Sequence, residues 1–260
     1  MCSLRFGAGW ARAIPPPYST DVTVSAVAEH PRRRLALELG VAYVCSWLVG
    51  VAYGLLLRGS VQWAHGAGWE RSLLRWFHAQ QLPPWLDTLV LWVPLTGTNL
   101  TILPGVLILG WWMWKRARQP LIALQLLVVC VGSLSLNPTM KYLLDRNRPD
   151  LFPRRGMYNW AAYPSGHAIL TIALYFTIAL LLYRARRWHW PFLAAALVFF
   201  ANSYSRLYLA VHWPTDLVGG LLIGLVWLTG TWAAFTRYAR RSRAEQERTT
   251  TSGDLAAARS

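Results

Sequence analysis

The feature that most restricts the fold of this chain is a series of six apolar runs, each about long enough to cross a lipid bilayer. Their bounds are Ala36–Leu57, Leu86–Trp114, Leu121–Tyr142, Ser165–Tyr183, Trp190–Leu209 and Pro214–Phe235. A helix rises about 1.5 Å per residue, so about 20 apolar residues span the hydrocarbon layer. The composition agrees, because 55% of the 260 residues are hydrophobic and 16 are tryptophans. We therefore predict an all-α fold, a bundle of six transmembrane helices.

Two stretches do not have the pattern of a continuous transmembrane helix. The second apolar run is interrupted by Pro94, Gly97 and Pro104, which predicts one broken span. Residues 58–85, between the first and second spans, have apolar and charged side chains on opposite faces of a predicted helix. The two sets are Trp69, Leu73, Trp76 and Phe77, against Glu70, Arg71, Arg75 and His78. This pattern fits an amphipathic helix at the membrane interface, and it fits a surface helix packed on the bundle equally well.

Basic residues between the apolar runs predict the orientation. With six spans, four basic groups fall on one side of the membrane: Arg32–Arg34, Lys115 with Arg116 and Arg118, Arg184 with Arg186 and Arg187, and Arg237 with Arg240, Arg241 and Arg243. The positive-inside rule makes that side the cytoplasm. Residues 1–35 and 238–260 are then cytoplasmic tails, predicted to be disordered, around a membrane domain of residues 36–237. Residues 1–35 lack the apolar stretch that a cleaved signal peptide needs, so none is expected.

Charge and cysteine content exclude other classes of protein. The formal net charge is +15, but the arginines lie between apolar runs rather than along one soluble face. No nucleic-acid partner is therefore expected. Cys2, Cys45 and Cys130 are scattered, so neither a disulfide framework nor a thiolate metal site is predicted. Nothing in the sequence indicates a protein partner or an oligomeric state.

Three polar clusters stand at the ends of the apolar runs. They cover residues 141–149, 163–167 and 205–216. With six spans, all three fall on the face opposite the basic loops, which is the periplasmic or extracellular side. Charged groups at a membrane boundary are costly to keep, which favours a functional site. We expect the three clusters to meet in one anion-binding pocket.

The residue types in these clusters suit a phosphate group. Lys141 supplies a compact positive charge, and Arg148 and Arg206 supply planar forks that match two phosphate oxygens. Ser165 and Gly166 stand at a predicted helix start, where unpaired backbone N–H groups and the helix dipole favour an anion. Standing alone, this start would be no more than a turn and a helix cap.

Two histidines and a carboxylate suit covalent phosphoryl transfer. His212 can attack phosphorus if its second ring nitrogen is held by Asp216, four residues further on. A phosphohistidine would form, and water would hydrolyse it. His167 would protonate the leaving oxygen and later activate that water. These three side chains could also bind zinc, but the nearby cations would repel a divalent ion, so no metal and no cofactor are expected.

The spacings KxxxxxxRP, PSGH and SRxxxxxHxxxD occur in this order between Lys141 and Asp216, without a gap or substitution. In this the chain resembles the type 2 phosphatidic acid phosphatase superfamily, whose integral-membrane members include lipid phosphate phosphatases and undecaprenyl-diphosphate phosphatases. The similarity in hydropathy extends over roughly residues 36–236 and leaves out both tails. The resemblance implies the same catalytic roles for His212, His167 and Asp216. It also implies that phosphate is bound by Lys141, Arg148, Ser165, Gly166 and Arg206.

The sequence thus predicts an integral-membrane, metal-independent phosphatase acting on a lipid phosphate or diphosphate, in contact with membrane lipids. Undecaprenyl diphosphate is the favoured substrate, while phosphatidic acid, phosphatidylglycerol phosphate and lipid A phosphate stay open. A bacterial inner membrane is the expected location, with both termini in the cytoplasm.

Three alternatives to a phosphatase remain. A phosphotransferase would pass the phosphoryl group to an alcohol instead of water. A transporter of lipids or anions would use the basic pocket without chemistry, although binding alone needs no nucleophile. A vanadate-binding haloperoxidase would have a similar pocket, but those relatives are soluble and the apolar spans argue against it.

Overall fold

A computed structural model describes residues 29–60, 63–153, 155 and 160–257 of the chain, and every regular element in those ranges is a helix. The helices are α1 (Glu29–Ser60), α2 (Gly68–Ala79), α3 (Pro84–Trp92), α4 (Asn99–Lys115), α5 (Pro120–Leu144), α6 (Gly166–Arg186), α7 (Trp190–Tyr208) and α8 (Pro214–Ala257). A 3₁₀ turn, Val93–Gly97, joins α3 to α4, and α6 contains a π-helical turn at Thr171–Tyr175. The predicted all-α class is confirmed.

In the part of the chain that the structure describes, four helices are long and apolar enough to cross a membrane, which supports an integral membrane protein. They are Pro31–Ser60, Pro120–Leu144, Gly166–Arg186 and Pro214–Arg248. The pair α3–α4 makes a fifth if it is counted as one broken span, with a bend of 52° at the predicted break. Helix α7, the predicted fifth run, has 19 residues, and Asn202, Ser205 and Arg206 lower its hydropathy. The count of six spans therefore stays a prediction.

Proline places the starts of several helices. Pro84, Pro120, Pro191 and Pro214 each occupy the first turn of a helix, where the missing N–H costs nothing and the ring fixes a helical φ. Helix α5 ends where Asp145 adopts a left-handed conformation with φ of 42°. The predicted functional residues lie at or next to such helix ends: the last turns of α5 and α7 and the first turns of α6 and α8.

The core lies around α5, α6 and α8, and its packing depends on close helix approach. Trp227 of α8 is buried against α5, and its indole N–H donates to the carbonyl of Val129 at 3.0 Å. A Cβ added at Gly132 would lie 2.1 Å from the Trp227 ring, so only glycine fits beneath the indole. Deep burial of such an aromatic side chain contributes about 3–5 kcal/mol relative to alanine.

Helix α2 packs on the bundle instead of standing apart from it. Leu74 and Phe77 are buried, and the Phe77 ring meets Tyr204 of α7 edge to face with 5.2 Å between the centroids. Glu70, which the sequence groups with the charged side of this helix, is fully buried, and the simple two-faced pattern is wrong at this position. The location of α2 at a membrane interface stays a prediction.

The two predicted tails have different outcomes. Residues 1–28 lie outside the described part of the chain, and residues 29–35 belong to α1. At the other end, α8 continues to Ala257, whereas the sequence predicts disorder from residue 238. Only the beginning of the added length contacts α1 through these ion pairs, because Arg237 and Arg241 both bond to Glu38, at 2.9 and 2.8 Å.

Candidate active site

A cavity of about 300 Å³ brings most of the predicted site residues together. Six of the eight line it: Lys141, Arg148, Gly166, His167, Arg206 and His212. The other two, Ser165 and Asp216, are fully buried and are not among the lining residues. The remaining wall comes from the start of α4, from α5 and from Trp160. Side chains about seventy positions apart in sequence therefore share one site.

Two of the three cations, Lys141 and Arg148, donate hydrogen bonds to backbone carbonyl groups. Lys141 Nζ donates to the carbonyls of Ala161 and Ala162. Arg148 donates from Nε to the carbonyl of Trp160 at 2.6 Å and from Nη1 to that of Val211. These oxygens are neutral, so the contacts orient the cations without cancelling their charge. Positive groups held in advance of the reaction suit an anion whose charge grows during it.

Arg206, the third cation, is almost completely buried in the last turn of α7. Its Nη2 lies 3.3 Å from the hydroxyl of Ser205, which in turn donates to the carbonyl of Val90 at 2.8 Å. Ser205 thus ties this end of α7 to α3. These two hydrogen bonds connect the guanidinium of Arg206 to both α7 and α3, which favours one fixed position for it.

The start of α6 forms another wall of the cavity. Ser165 occupies the N-cap, and its hydroxyl makes no hydrogen bond within the described residues. A Cβ added at Gly166 would lie 2.5 Å from Asn137 Nδ2, so glycine allows α6 to approach α5. A Cβ at Gly220 would lie 2.6 Å from the carbonyl oxygen of Ser165, so α8 also depends on glycine here. Gly166 and His167 line the cavity, so the N-terminal end of α6, where the helix dipole favours an anion, borders it.

His167 lies in the first turn of α6 with its ring held from one side. The ring hydrogen-bonds the backbone of Pro94, while its Nε2 has no partner within the described residues. The hydroxyl of Thr171, in the π-helical turn that follows, donates to the carbonyl of His167 at 2.7 Å. Such turns occur frequently at functional sites. One ring nitrogen of His167 is thus available to a bound substrate.

Gly97 is a site residue whose role the sequence did not show. A Cβ added there would lie 2.8 Å from Cδ2 of His167, closer than such atoms can approach. The sequence marks Gly97 only as a break in the second apolar run. Its position against the histidine depends on how α3, α4 and α6 meet, which no local pattern encodes.

His212 and Asp216 adopt the arrangement that their spacing predicts. Nδ1 of His212 lies 3.4 Å from Oδ2 of Asp216, and the same oxygen accepts the backbone N–H of Trp213 at 2.8 Å. Asp216 is in the first turn of α8, so its carboxylate reaches back to the ring. The carboxylate can fix the tautomer of the ring and leave the other nitrogen for the cavity.

Burial lowers the pKa of His212 well below its usual value, and the charges of Lys141, Arg148 and Arg206 lower that pKa further. Both causes disfavour a charged imidazolium. The ring is therefore neutral at neutral pH and retains a lone pair. A neutral imidazole beside three cations can act as a nucleophile toward a bound phosphate.

A buried ionic group lies behind Asp216. Asp145 and Arg146 stand between the motif positions Lys141 and Arg148, and the sequence predicts that they pair with each other or with neighbours. In the structure Arg146 is fully buried and donates to Asp216 Oδ1 at 2.8 Å and to Glu70 Oε2 at 3.0 Å. The motif spacing carries no signal for Glu70, which lies in α2.

Similarity to known proteins agrees with this site. Residues 122–240 match the PAP2 superfamily. Phosphatidylglycerophosphatase B of Bacillus subtilis (strain 168) is 30% identical over 152 residues, which are 55% of this chain and 72% of that protein. An undecaprenyl-diphosphatase of Sulfolobus acidocaldarius is 31% identical over 154 residues, which are 55% of this chain and 60% of that protein.

A solved structure shares the fold. It is the crystal structure of the first transmembrane PAP2 type phosphatidylglycerolphosphate phosphatase from Bacillus subtilis, with a TM-score of 0.62. The two chains are 21% identical, and the match covers 74% of this chain and 94% of that one. The family expected from the three motifs is confirmed by the sequence matches and agrees with the fold: this chain belongs to the PAP2 superfamily.

Proposed function

We propose that this membrane phosphatase removes a phosphate group from a lipid phosphate or diphosphate, through a phosphohistidine formed on His212. The observation that carries the proposal is the cavity itself, in which three cations and two histidines face one space. A transporter would need the cations but has no use for a neutral histidine backed by a carboxylate. Undecaprenyl diphosphate is the favoured substrate, supported by the Sulfolobus relative. Phosphatidylglycerol phosphate comes next, supported by the Bacillus relative.

The reaction would use each group in turn. Lys141, Arg148 and Arg206, with the start of α6, would bind the non-bridging oxygens of the phosphate. His212 would attack phosphorus in line while Asp216 stabilises the positive charge on its ring. His167 would give a proton to the leaving oxygen and then take one from the water that hydrolyses the phosphohistidine. No step requires a group that the chain lacks.

The mixed lining of the cavity suits a lipid headgroup. Leu134, Pro138 and Trp160 stand beside the cations in its wall. The phosphate would enter the basic end while the hydrocarbon tail stays in the bilayer. By the positive-inside rule, the cavity would open on the periplasmic or extracellular side, with both termini in the cytoplasm of a bacterial cell.

The direct test is phosphate release by the purified full-length chain from a panel of lipid phosphates. The panel contains undecaprenyl diphosphate, phosphatidylglycerol phosphate, phosphatidic acid and lipid A phosphate. Release from at least one of them supports the proposal, and no release from any of them contradicts it. Added glycerol as an acceptor separates hydrolysis from phosphotransfer, because transfer would produce glycerol phosphate in place of free phosphate.

We expect phosphate release to continue unchanged when the enzyme is treated with a chelator. Within the described residues, no group of three or more His, Cys, Asp or Glu side chains is placed to hold a metal ion. Metal independence nevertheless stays a prediction, resting on the repulsion of a divalent ion by the three cations. The measurement is the initial rate after dialysis against EDTA. A loss of activity that added divalent ions restore would show the expectation to be wrong.

Replacing Gly97 by alanine should reduce kcat by about a hundredfold, since displacements of about 1 Å at a catalytic group have effects of this size. The new methyl group would push the ring of His167 out of position. Gly105→Ala in α4 is the matched control, because a Cβ at Gly105 meets nothing within 4 Å. Initial rates of both variants would be compared. A wild-type kcat for Gly97→Ala would mean that the ring of His167 moves without consequence.

A further inference from the structure

The carboxylate behind His212 belongs to a larger buried ionic group that reaches into α2. Asp216, Arg146 and Glu70 are all fully buried. Arg146 bonds to both carboxylates, to Asp216 at 2.8 Å and to Glu70 at 3.0 Å. Thr215 completes the group, because its hydroxyl lies 2.6 Å from Nη1 of Arg146 and donates to Glu70 Oε1 at 2.6 Å.

The group is held rigidly from several sides. Glu70 Oε2 also accepts the backbone N–H of Ala67 at 2.9 Å. The guanidinium of Arg146 lies near the rings of Trp63 and Trp213, 5.1 and 5.5 Å from their centroids. The α2 helix, the end of α5 and the start of α8 thus meet at one arginine. A buried ionic network has defined positions only when its members are fully satisfied, as here.

The formal charges of this group bear directly on the nucleophile. Arg146 alone would cancel the charge of Asp216 and leave nothing negative behind the ring of His212. Glu70 adds a second carboxylate, so two negative groups and one positive group leave a net charge of −1. When His212 attacks phosphorus, its ring becomes positive. A net negative group in a buried setting stabilises that charge strongly, since the field is little screened there.

We propose that Glu70 is a positioning residue for this reaction: through Arg146, it fixes Asp216 against His212 and restores the negative charge that Arg146 would otherwise cancel. This rests on the proposed role of His212 as nucleophile. Helix α2 would then contribute to catalysis, because its packing on the bundle places Glu70 against Arg146. Glu70 is not among the residues that line the cavity, so its effect should fall on the chemical step and not on binding.

Glu70→Gln is expected to lower kcat about tenfold to a hundredfold, the range seen for outer partners of functional histidines at metal sites. The KM for the lipid substrate and the inhibition constant of inorganic phosphate should stay within about twofold, because the three cavity cations are unchanged. The control is Glu38→Gln, which also removes a carboxylate paired with two arginines, Arg237 and Arg241, away from the cavity lining. Glu38→Gln should leave kcat and KM as in the wild type.

Two further variants separate charge balance from simple structural support. Glu70→Asp keeps the charge and should recover part of the lost kcat. The double variant Glu70→Gln/Arg146→Gln again leaves a net charge of −1 on Asp216, and its kcat per folded molecule should exceed that of Glu70→Gln about tenfold. A purely structural role predicts that the double variant is no faster. If Glu70→Gln does not fold, the double variant is compared with the wild type, and a rate as low as that of His212→Ala overturns the proposal.

The outcomes distinguish this proposal from the proposed function. A wild-type chain that releases no phosphate from any lipid contradicts the function itself. An active wild type with an unchanged kcat in folded Glu70→Gln, or with the loss confined to KM, overturns only the role of Glu70. A loss confined to kcat, partly restored by Glu70→Asp and by the double variant, supports it.

Discussion

His212→Ala is expected to abolish phosphate release from lipid phosphates, with a fall in kcat of about ten-thousandfold or more, as for the loss of other catalytic nucleophiles. The three cations remain in the variant, so substrate should still bind. Among the described lining residues, the other histidine, His167, bonds to a backbone group instead of a carboxylate, so it is not oriented to replace His212. The measurements are the initial rate and the trapping of a phosphorylated chain from labelled substrate by denaturation at alkaline pH, where phosphohistidine is stable.

A matched control tests whether the loss of activity is specific to a histidine in the cavity. His189 packs its ring on Tyr183, with 5.1 Å between the centroids, and does not line the cavity. His189→Ala should therefore retain the wild-type rate and the wild-type level of phosphoenzyme. If folded His212→Ala still forms a phosphoenzyme, the nucleophile is another residue and the roles assigned to the cavity must be redistributed.

The convergence of the site could be predicted from sequence because its residues stand at helix ends. Lys141 lies in the last turn of α5, His167 in the first turn of α6 and Arg206 in the last turn of α7. Helix ends are marked by proline, by polar residues and by the length of the apolar run, so their relative depth can be read from one chain. The reach of Asp216 back to His212 likewise follows from local helix geometry, since four residues make about one turn.

The supporting residues could not be predicted, because they depend on contacts between distant segments. Glu70 lies in an amphipathic helix, and the pattern of that helix separates polar from apolar side chains without showing which carboxylate meets a buried arginine. The close approach of Gly97 to His167 depends on a 3₁₀ turn placed by three helices. The ion pairs that Arg237 and Arg241 of α8 make with Glu38 of α1 likewise join segments about 200 residues apart.

His167→Ala is expected to slow turnover about 10²- to 10⁴-fold, the usual contribution of general acid–base catalysis, with an effect that depends on the leaving group. With a lipid monophosphate, the leaving group is the lipid alkoxide, which needs a proton. Formation of the phosphohistidine should therefore become limiting. With a lipid diphosphate attacked at its terminal phosphorus, the leaving group is the lipid monophosphate, which needs that proton much less. With the diphosphate, hydrolysis of the intermediate should become limiting, because that step also needs His167 to activate water.

The variant should therefore accumulate phosphoenzyme with a lipid diphosphate and not with a lipid monophosphate. Trapping at alkaline pH with the two substrates, over the same time course, measures this difference directly. Gly97→Ala offers an internal comparison, because it leaves the imidazole present but displaced, and it should show the same pattern in weaker form. Equal slowing with both substrates would assign His167 to phosphate binding instead of proton transfer, and an unchanged rate would remove it from the mechanism. The leaving-group dependence is decisive because the three cations would bind the phosphate of either substrate, whereas Nε2 of His167, which has no hydrogen-bond partner within the described residues, contributes only where a proton moves.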